Sequence, residues 1–306
     1  MSVDYAALLQ IIAAEVGELA PDGEVADYIP ALARVAPDQF GIAVATVDGR
    51  VYRAGAADTP FSIQSISKLF ALALALRREG EALWRRVGRE PSGTPFNSLV
   101  LLERERGIPR NPFVNAGALV VTDVLCQRFL QPERAVLEFV HRLLGRTGVS
   151  IDTDVARSER RHSDRNAAIA HFMRSFGNLH GDVGAVLDTY CAQCAIAMSC
   201  AELAEAALFL AADGCQPGGA RILEAPDARR LNALMLTCGA YDAAGDFAFR
   251  IGLPTKTGVG GGILAVVPGR MTICAWSPRL DATGNSTAAA VALERFAATA
   301  GVSIFG

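Results

Sequence analysis

The sequence predicts a mixed α/β protein of the α+β kind, in which one antiparallel sheet is flanked by helices and interrupted by a helical lobe. Runs of apolar and β-branched residues that are typical of strands lie near both ends of the 306-residue chain, at 40–47, 262–267 and 271–276. Between the two ends, apolar residues recur at the three-to-four spacing of helices as far as about residue 236. We therefore expect strands from both ends to pair in one sheet.

The same pattern divides one expected domain, residues 1–306, into two sub-lobes. Residues 1–64 and 237–306 are expected to build the lobe that contains the sheet, and residues 65–236 to build the mainly helical lobe. A cleft between two lobes is a usual place for a small-molecule site.

The N-terminal part is predicted to begin with two helices. Residues 1–20 have the pattern of an amphipathic helix, and a short helix is expected at about 26–33. The strand at 40–47 is followed by Asp48-Gly49, which is a hairpin turn signal, and by a return strand that begins at Val51.

Helices are then predicted for most of the middle of the chain. Their ranges are 62–78, 115–129, 132–144, 166–176, 181–191, 201–212 and 226–236. A strand is expected at 247–252, before the two later strands, and a last helix at 286–300.

Composition excludes several classes of partner. The chain is 51% hydrophobic and 20% charged, with a formal net charge of −3, so it lacks the basic excess that nucleic acid or an anionic membrane requires. The first residues include acidic side chains and no basic segment, and the apolar run 69–76 is too short to span a bilayer. We therefore expect a cytoplasmic protein.

The cysteines predict neither a disulfide framework nor a metal site. Seven is an odd number, and in a chain of this length it indicates reduced thiols in the core. Cys191 and Cys194 have the spacing of a zinc or redox pair, but no second pair or histidine follows at ligand spacing. No metal or organic cofactor is expected.

Lysine is unusually rare in this chain. Of the 29 basic residues only two are lysines, Lys68 and Lys256. Arginine keeps its proton in a protein, whereas a buried lysine can lose it, so a lysine is retained where a removable proton is needed. A coding bias toward arginine explains the scarcity but not the positions of these two residues.

Lys68 belongs to a Ser-x-x-Lys motif that begins at Ser65. The spacing places both side chains on one face near the start of a helix, where a neutral lysine can take the proton of the serine and the helix N-terminus favours developing negative charge. Ser67 is the competing hydroxyl, but it points away from that face. Alone, the motif is equally compatible with a solvated helix start.

Lys256 belongs to a Lys-Thr-Gly motif that we expect on an edge strand. Glycines there let a substrate approach the backbone, and a free N–H can contribute to an oxyanion hole. Alone, the motif is better explained as a glycine-rich hairpin corner that carries an exposed lysine. Ser-x-x-Lys followed by Lys-Thr-Gly near the end of the chain is the order found in serine acyl-transfer enzymes of the β-lactamase and penicillin-binding-protein class.

At finer detail the sequence resembles the bacterial serine-dependent glutaminase family, which shares that fold. The matching segments are 27–30 (DYIP), 61–68 (FSIQSISK), 111–118 (NPFVNAGA), 158–159 (SE), 165–166 (RN), 188 and 190 (D and Y), and 237–242 (TCGAYD) onward to 262. Many family members have Ser-Gly where this chain has Thr257-Gly258.

The resemblance implies hydrolysis of L-glutamine to L-glutamate and ammonia by one catalytic domain. Ser65 is then the nucleophile that forms a γ-glutamyl ester, Lys68 is its base, and Tyr241 relays or stabilises the proton. The backbone N–H groups of Ser65 and Val259 are expected to form the oxyanion hole. Lys256 is expected to support Lys68 as an electrostatic neighbour that keeps it neutral.

The resemblance also implies a set of substrate contacts. Glu159 suits the α-ammonium group of glutamine, although without the resemblance it reads as a solvated acid in a charged run. Side chains expected to bind the α-carboxylate or shape the slot are Tyr28, Asn115, Asn166 and Tyr190, and Gln64 beside the nucleophile is a further contact. Asn115 and Asn166 also have the alternative of simple helix caps.

Two other functions stay open at the level of sequence. One is a β-lactamase-like esterase or peptidase, although the third motif of that class is not found between the two lysine motifs. The other is a catalytically silent amino-acid sensor on the same scaffold. The family further implies a homo-oligomer, either a dimer or a tetramer.

Overall fold

The structure, a computed structural model, describes residues 3–19, 22–93 and 99–306. The strands are β1 (Glu24–Val25), β2 (Gly41–Thr46), β3 (Val51–Gly55), β4 (Phe61–Ser62), β5 (Ser150–Ile151), β6 (Ile196–Met198), β7 (Thr255–Thr257), β8 (Gly262–Val267), β9 (Met271–Trp276) and β10 (Arg279–Leu280).

Helices make up most of the rest of the described chain. They are α1 (Tyr5–Leu19), α2 (Ser67–Glu79), α3 (Val100–Arg104), α4 (Asn115–Arg128), α5 (Pro132–Leu144), α6 (Thr153–Arg161), α7 (Asp164–Ser175), α8 (Val183–Cys194), α9 (Cys200–Ala211), α10 (Ala225–Cys238), α11 (Ala244–Arg250) and α12 (Thr287–Ala300).

The main sheet is assembled from both ends of the chain, as predicted. Its five strands run in the order β3-β2-β9-β8-β7 and every neighbouring pair is antiparallel. The terminal helices α1 and α12 pack against one face of the sheet, and α9 packs against the other. Small sheets of β4-β6-β5 and β1-β10 lie beside it. The boundaries of the two sub-lobes stay a prediction.

The β2–β3 hairpin turns at the predicted residues. The N–H of Thr46 donates to the carbonyl of Arg50 at 2.9 Å, and Gly49 has a φ of +85°, which a side chain would oppose. Residues 1, 2 and 20 of the first predicted helix lie outside the described residues, and residues 5–19 of it form α1.

Two predicted elements are wrong. Residues 26–33 form turns and not a helix, because Pro30 disfavours helical backbone at the preceding residue. Residues 247–252 do not form a strand, since α11 runs to Arg250 and buries Phe247 and Ile251, which are four residues apart, while Phe249 is exposed.

The predicted helix at 62–78 is divided into three parts. Residues 61–62 are β4, residues 64–66 form a 3-10 turn, and α2 begins only at Ser67. The break falls at Gln64, whose φ of +47° is incompatible with a right-handed helix. Ser65 therefore lies on a turn before the helix that carries Lys68.

None of the helices within the described ranges has both the length and the apolar character needed to cross a bilayer.

Candidate active site

The turn that carries Ser65 is fixed from two sides. The Ser62 hydroxyl donates to the carbonyl of Cys194 at 2.9 Å, and the Gln64 amide donates to the Ser62 hydroxyl at 3.1 Å. Gln64 is 3% exposed and has left-handed backbone, a strained conformation that is common at functional sites. Ser65 is half-buried.

The glycine run after β7 lets a second loop approach this turn closely. A Cβ atom at Gly260 would lie 2.0 Å from the carbonyl oxygen of Ser62, and one at Gly258 would lie 2.6 Å from that of Ile63. Val259 between them is half-buried. Among the described residues no group accepts a hydrogen bond from its backbone N–H. Only glycine permits this contact between backbones.

Lys68 lies at the centre of the site and is 1% exposed. Its Nζ atom is 3.1 Å from the carbonyl oxygen of Phe113, 2.8 Å from Oδ1 of Asn115 and 3.4 Å from the hydroxyl oxygen of Tyr241. The first two oxygens only accept, whereas the tyrosine hydroxyl also donates. A neutral amine, with two N–H groups and one lone pair, satisfies all three partners.

Burial lowers the pKa of Lys68 from 10.5 to about 8. The groups that oppose this shift are Cys194 and Glu159, which favour the charged amine. Above about pH 8 most of the Lys68 amine is therefore neutral and has the lone pair that a general base needs.

Tyr241 lies between the two lysines. It follows α10 on a short 3-10 turn, with a φ of +56° that is rare for a non-glycine residue. The Nζ atoms of Lys68 and Lys256 are 5.3 Å and 4.3 Å from the centre of its ring. Burial raises the pKa of Tyr241, and a hydrogen bond with Ser65 opposes that shift. Its hydroxyl thus contacts both members of the Ser-x-x-Lys motif.

Lys256 lies on β7, at the edge of the main sheet as predicted, but its side chain is fully buried. Its Nζ atom donates to the carbonyls of Gly239 at 3.0 Å and Thr257 at 2.6 Å. Burial lowers its pKa well below 10.5, and the positive charge of Lys68 lowers it further. Lys256 therefore faces Tyr241 as a second poorly solvated amine. For Lys68, burial is the dominant cause of the low pKa.

Glu159 lies on α6 and is 8% exposed. Its Oε1 atom accepts a hydrogen bond of 2.5 Å from the hydroxyl of Tyr28, a residue that is itself 48% exposed. Burial raises the pKa of Glu159, although hydrogen bonds from Tyr28 and Gln64 and the charges of Lys68 and His162 oppose the shift. The site therefore has a carboxylate with little solvent around it.

Asn115, Asn166 and Tyr190 form one wall of the site. The Asn115 amide donates to Oδ1 of Asn166 at 2.9 Å, and the Tyr190 hydroxyl donates to Oδ1 of Asn115 at 3.4 Å. Neither asparagine caps its helix, because the cap positions of α4 and α7 are Val114 and Ser163. The amides are instead used in hydrogen bonds between side chains of α4, α7 and α8.

Comparison with known proteins identifies the family. The glutaminase family model matches residues 23–305. The chain belongs to the glutaminase family. A glutaminase of Paraburkholderia phytofirmans is 59% identical over 304 residues, which are 99% of this chain and 100% of the relative. A glutaminase of Streptomyces coelicolor is 55% identical over 298 residues, which are 97% of each chain.

Solved structures of the glutaminase family have the same fold. A protein described as probable glutaminase ybaS is 38% identical with a TM-score of 0.91, over 98% of this chain and 99% of that one. A Bacillus glutaminase is 32% identical with a TM-score of 0.89, over 98% of this chain and 99% of that one. The family has the β-lactamase-like fold, which confirms the predicted fold class.

Sequence reasoning missed several residues around Lys68. Asn111 and Phe113 form the loop that contacts its amine, and Cys194 is a fully buried thiol whose pKa burial raises to about 12. The NPF sequence was a signal for a turn at Asn111, but not for its contact with Lys68. Every cysteine is a free thiol, and the described residues contain no cluster suited to a metal ion.

Proposed function

We propose that this protein is a serine amidohydrolase that hydrolyses L-glutamine to L-glutamate and ammonia. The observation that carries the proposal is the position of the Tyr241 hydroxyl, which is hydrogen-bonded to Ser65 and lies 3.4 Å from Nζ of Lys68. This arrangement offers a proton path from a nucleophile to a buried amine of lowered pKa.

In the first half-reaction the Ser65 hydroxyl attacks the side-chain carboxamide carbon of glutamine. Its proton passes through Tyr241 to the lone pair of Lys68, while the N–H groups of Ser65 and Val259 bind the oxyanion. The C–N bond then breaks as the nitrogen receives the proton back through Tyr241. Ammonia leaves, and the γ-glutamyl ester of Ser65 remains.

In the second half-reaction water replaces the amine. Lys68 and Tyr241 take a proton from the water as it attacks the ester, and they return that proton to the Ser65 oxygen when the ester bond breaks. Glutamate is released and the starting protonation state is restored. No cofactor is required by this sequence of steps.

Glu159 is proposed to bind the α-ammonium group of glutamine. A carboxylate of low exposure, hydrogen-bonded to Tyr28, gives a strong and directional charge-assisted contact. The amide and hydroxyl groups of Asn115, Asn166 and Tyr190 are proposed to contact the α-carboxylate. Gln64 closes the slot beside Ser65.

One related structure bears on the substrate. It is described as Mglu in its glutamate form, is 39% identical with a TM-score of 0.91, and is matched over 98% of this chain and 69% of that one. Glutamate is the product of the proposed reaction, so this relative supports an amino-acid site in the fold.

Ammonia release from purified protein tests the proposal. Steady release from glutamine, with none from asparagine and no opening of a chromogenic β-lactam, is expected, and Ser65→Ala is expected to abolish it. Hydrolysis of esters, peptides or lactams in place of glutamine would identify the β-lactamase-like alternative. Tight glutamine binding without turnover would identify the silent amino-acid sensor.

The same proposal includes a cytoplasmic location and a homo-oligomer, either a dimer or a tetramer. The assembly rests on the family resemblance. Light scattering of the purified protein tests the assembly, and a mass of one 32.3 kDa chain at micromolar concentration would contradict it.

A further inference from the structure

We infer that Asn111 is a positioning residue for Lys68, because its side chain holds the backbone of Phe113 where the amine of Lys68 can bond to it. This inference rests on the proposed function, in which Lys68 is the base. Asn111 acts through the loop at 111–115 and has no assigned role in the resemblance to the family.

The Asn111 side chain organises this loop directly. Its Oδ1 atom accepts hydrogen bonds from the backbone N–H groups of Phe113 at 3.0 Å and Val114 at 3.1 Å. Pro112, which directly follows Asn111, has no N–H to offer, so the asparagine oxygen reaches the next two donors. Both donors are buried with their residues and would cost free energy if left without a partner.

Asn111 is itself held in place by two other contacts. Its amide nitrogen donates to the carbonyl of Glu90 at 2.9 Å, and the side chain is 2% exposed. Its own carbonyl oxygen packs against α4, where a Cβ atom at Gly117 would lie only 1.9 Å away. The residue is therefore a fixed anchor between the 88–90 segment and α4.

Among the described residues Lys68 has three hydrogen-bond partners, and the anchored loop supplies two of them. These are the Phe113 carbonyl and Oδ1 of Asn115, which is the first residue of α4. With both N–H groups of the amine directed at these oxygens, its lone pair is left for the Tyr241 hydroxyl. The ring of Phe113 also lies 5.5 Å from Nζ of Lys256. Loss of the anchor therefore misdirects the base without removing a group that touches the substrate.

Three substitutions separate this role from general stability. Asn111→Ser and Asn111→Asp keep an oxygen that can accept from Phe113 and Val114, whereas Asn111→Ala does not. All three variants lose the amide N–H that donates to the Glu90 carbonyl, so loss of that hydrogen bond does not distinguish them. For each variant the kcat/KM for glutamine is measured from pH 6 to 10, together with the thermal melt.

We expect Asn111→Ala to lose kcat/KM on the order of 10- to 100-fold, since a small displacement of a catalytic group has an effect of this size. The acidic limb of its pH profile, where kcat/KM rises as Lys68 loses its proton, is expected at lower pH than in the wild type. The reason is that the ammonium form of Lys68 loses its hydrogen bond to the Phe113 carbonyl, which lowers the pKa of the amine. Asn111→Ser is expected to recover activity to within about tenfold of the wild type, while Asn111→Asp is expected to move the limb to higher pH through its added negative charge.

Equal losses of kcat/KM in the alanine and serine variants, with the acidic limbs of both pH profiles at the wild-type position, would overturn the inference. That pattern would indicate only destabilisation of the protein. If Asn111→Ala does not fold, an acidic limb of Asn111→Asp at the wild-type position would overturn it by showing that position 111 is not coupled to Lys68. Failure of the proposed function is distinguishable, since the wild type itself would then release no ammonia from glutamine.

Discussion

The hydroxyl oxygen of Tyr241 lies 3.4 Å from the Nζ atom of Lys68, although the two residues are 173 positions apart in the chain. The same hydroxyl is hydrogen-bonded to Ser65. Because the other two partners of Lys68 only accept hydrogen bonds, Tyr241 is the partner from which a neutral Lys68 can accept one. The catalytic proposal depends on this relationship.

Removing the Tyr241 hydroxyl is expected to interrupt the proton path. For Tyr241→Phe we expect kcat for glutamine to fall about 10²- to 10⁴-fold, the usual contribution of a general acid–base group, with a smaller change in KM. Steady-state ammonia release over a range of glutamine concentrations measures both kcat and KM. Tyr52→Phe, on β3 of the main sheet, is the control and is expected to keep wild-type activity. Loss of less than tenfold for Tyr241→Phe would exclude a role in proton transfer.

The two lysines are expected to differ in their tolerance of arginine. Lys68→Arg keeps a positive charge that cannot be removed, so we expect kcat to fall by about three orders of magnitude or more. Lys256→Arg changes a side chain that donates only to carbonyls, and a smaller loss is expected there. Comparison of the two kcat values, with folding checked by circular dichroism, tests the distinction. Equal losses would contradict it.

Glu159→Gln is expected to affect substrate binding more than turnover. The substitution keeps the shape of the side chain but removes the charge that is proposed to bind the α-ammonium group, so KM for glutamine should rise about 10- to 100-fold with a smaller change in kcat. Glu18→Gln, an exposed acid near the end of α1, is the matched control. An unchanged KM would remove Glu159 from the substrate site.

Gly260→Ala is expected to displace the loop that carries Val259. The added methyl group would lie 2.0 Å from the carbonyl oxygen of Ser62, and backbone on both sides has to shift. We expect kcat/KM to fall on the order of 100-fold, because the oxyanion donors move apart. Gly17→Ala is the control, since its methyl group meets nothing within 4 Å and raises helix propensity in α1. Activity near wild type in Gly260→Ala would contradict a close fit at this loop.

The sequence was most informative where composition and motif agreed. The two lysines, rare in the whole chain, pointed to two segments that the structure brings into one site, and the antiparallel sheet followed from strand patterns at the two ends. The edge position of the Lys256 strand was also predicted correctly. These features are local in sequence or depend on a simple period, which is why single-sequence reasoning reached them.

Errors and omissions arose where tertiary contacts decide the conformation. Phe247 and Ile251 look like strand residues, but Phe247 is buried on α11 and Ile251 is buried directly after its end, four residues further along. Helix α6 was missed because the run around Glu159 is mostly charged and has few apolar residues to show helical spacing, although Asp152 caps its first turn. The contact of the Asn111 loop with Lys68 was also missed, because it joins segments that are distant in sequence and have no shared pattern.

The most direct measurement is the titration of Lys68 itself. Because the chain has only two lysines, protein labelled with ¹³C at lysine Cε gives two side-chain signals, and Lys256→Arg assigns them. We predict that the Lys68 signal titrates with a midpoint near pH 8, and that kcat/KM for glutamine rises with pH through the same midpoint as the amine loses its proton. A Lys68 midpoint at the ordinary value of 10.5, with activity already complete at lower pH, would contradict the assignment of Lys68 as the neutral base.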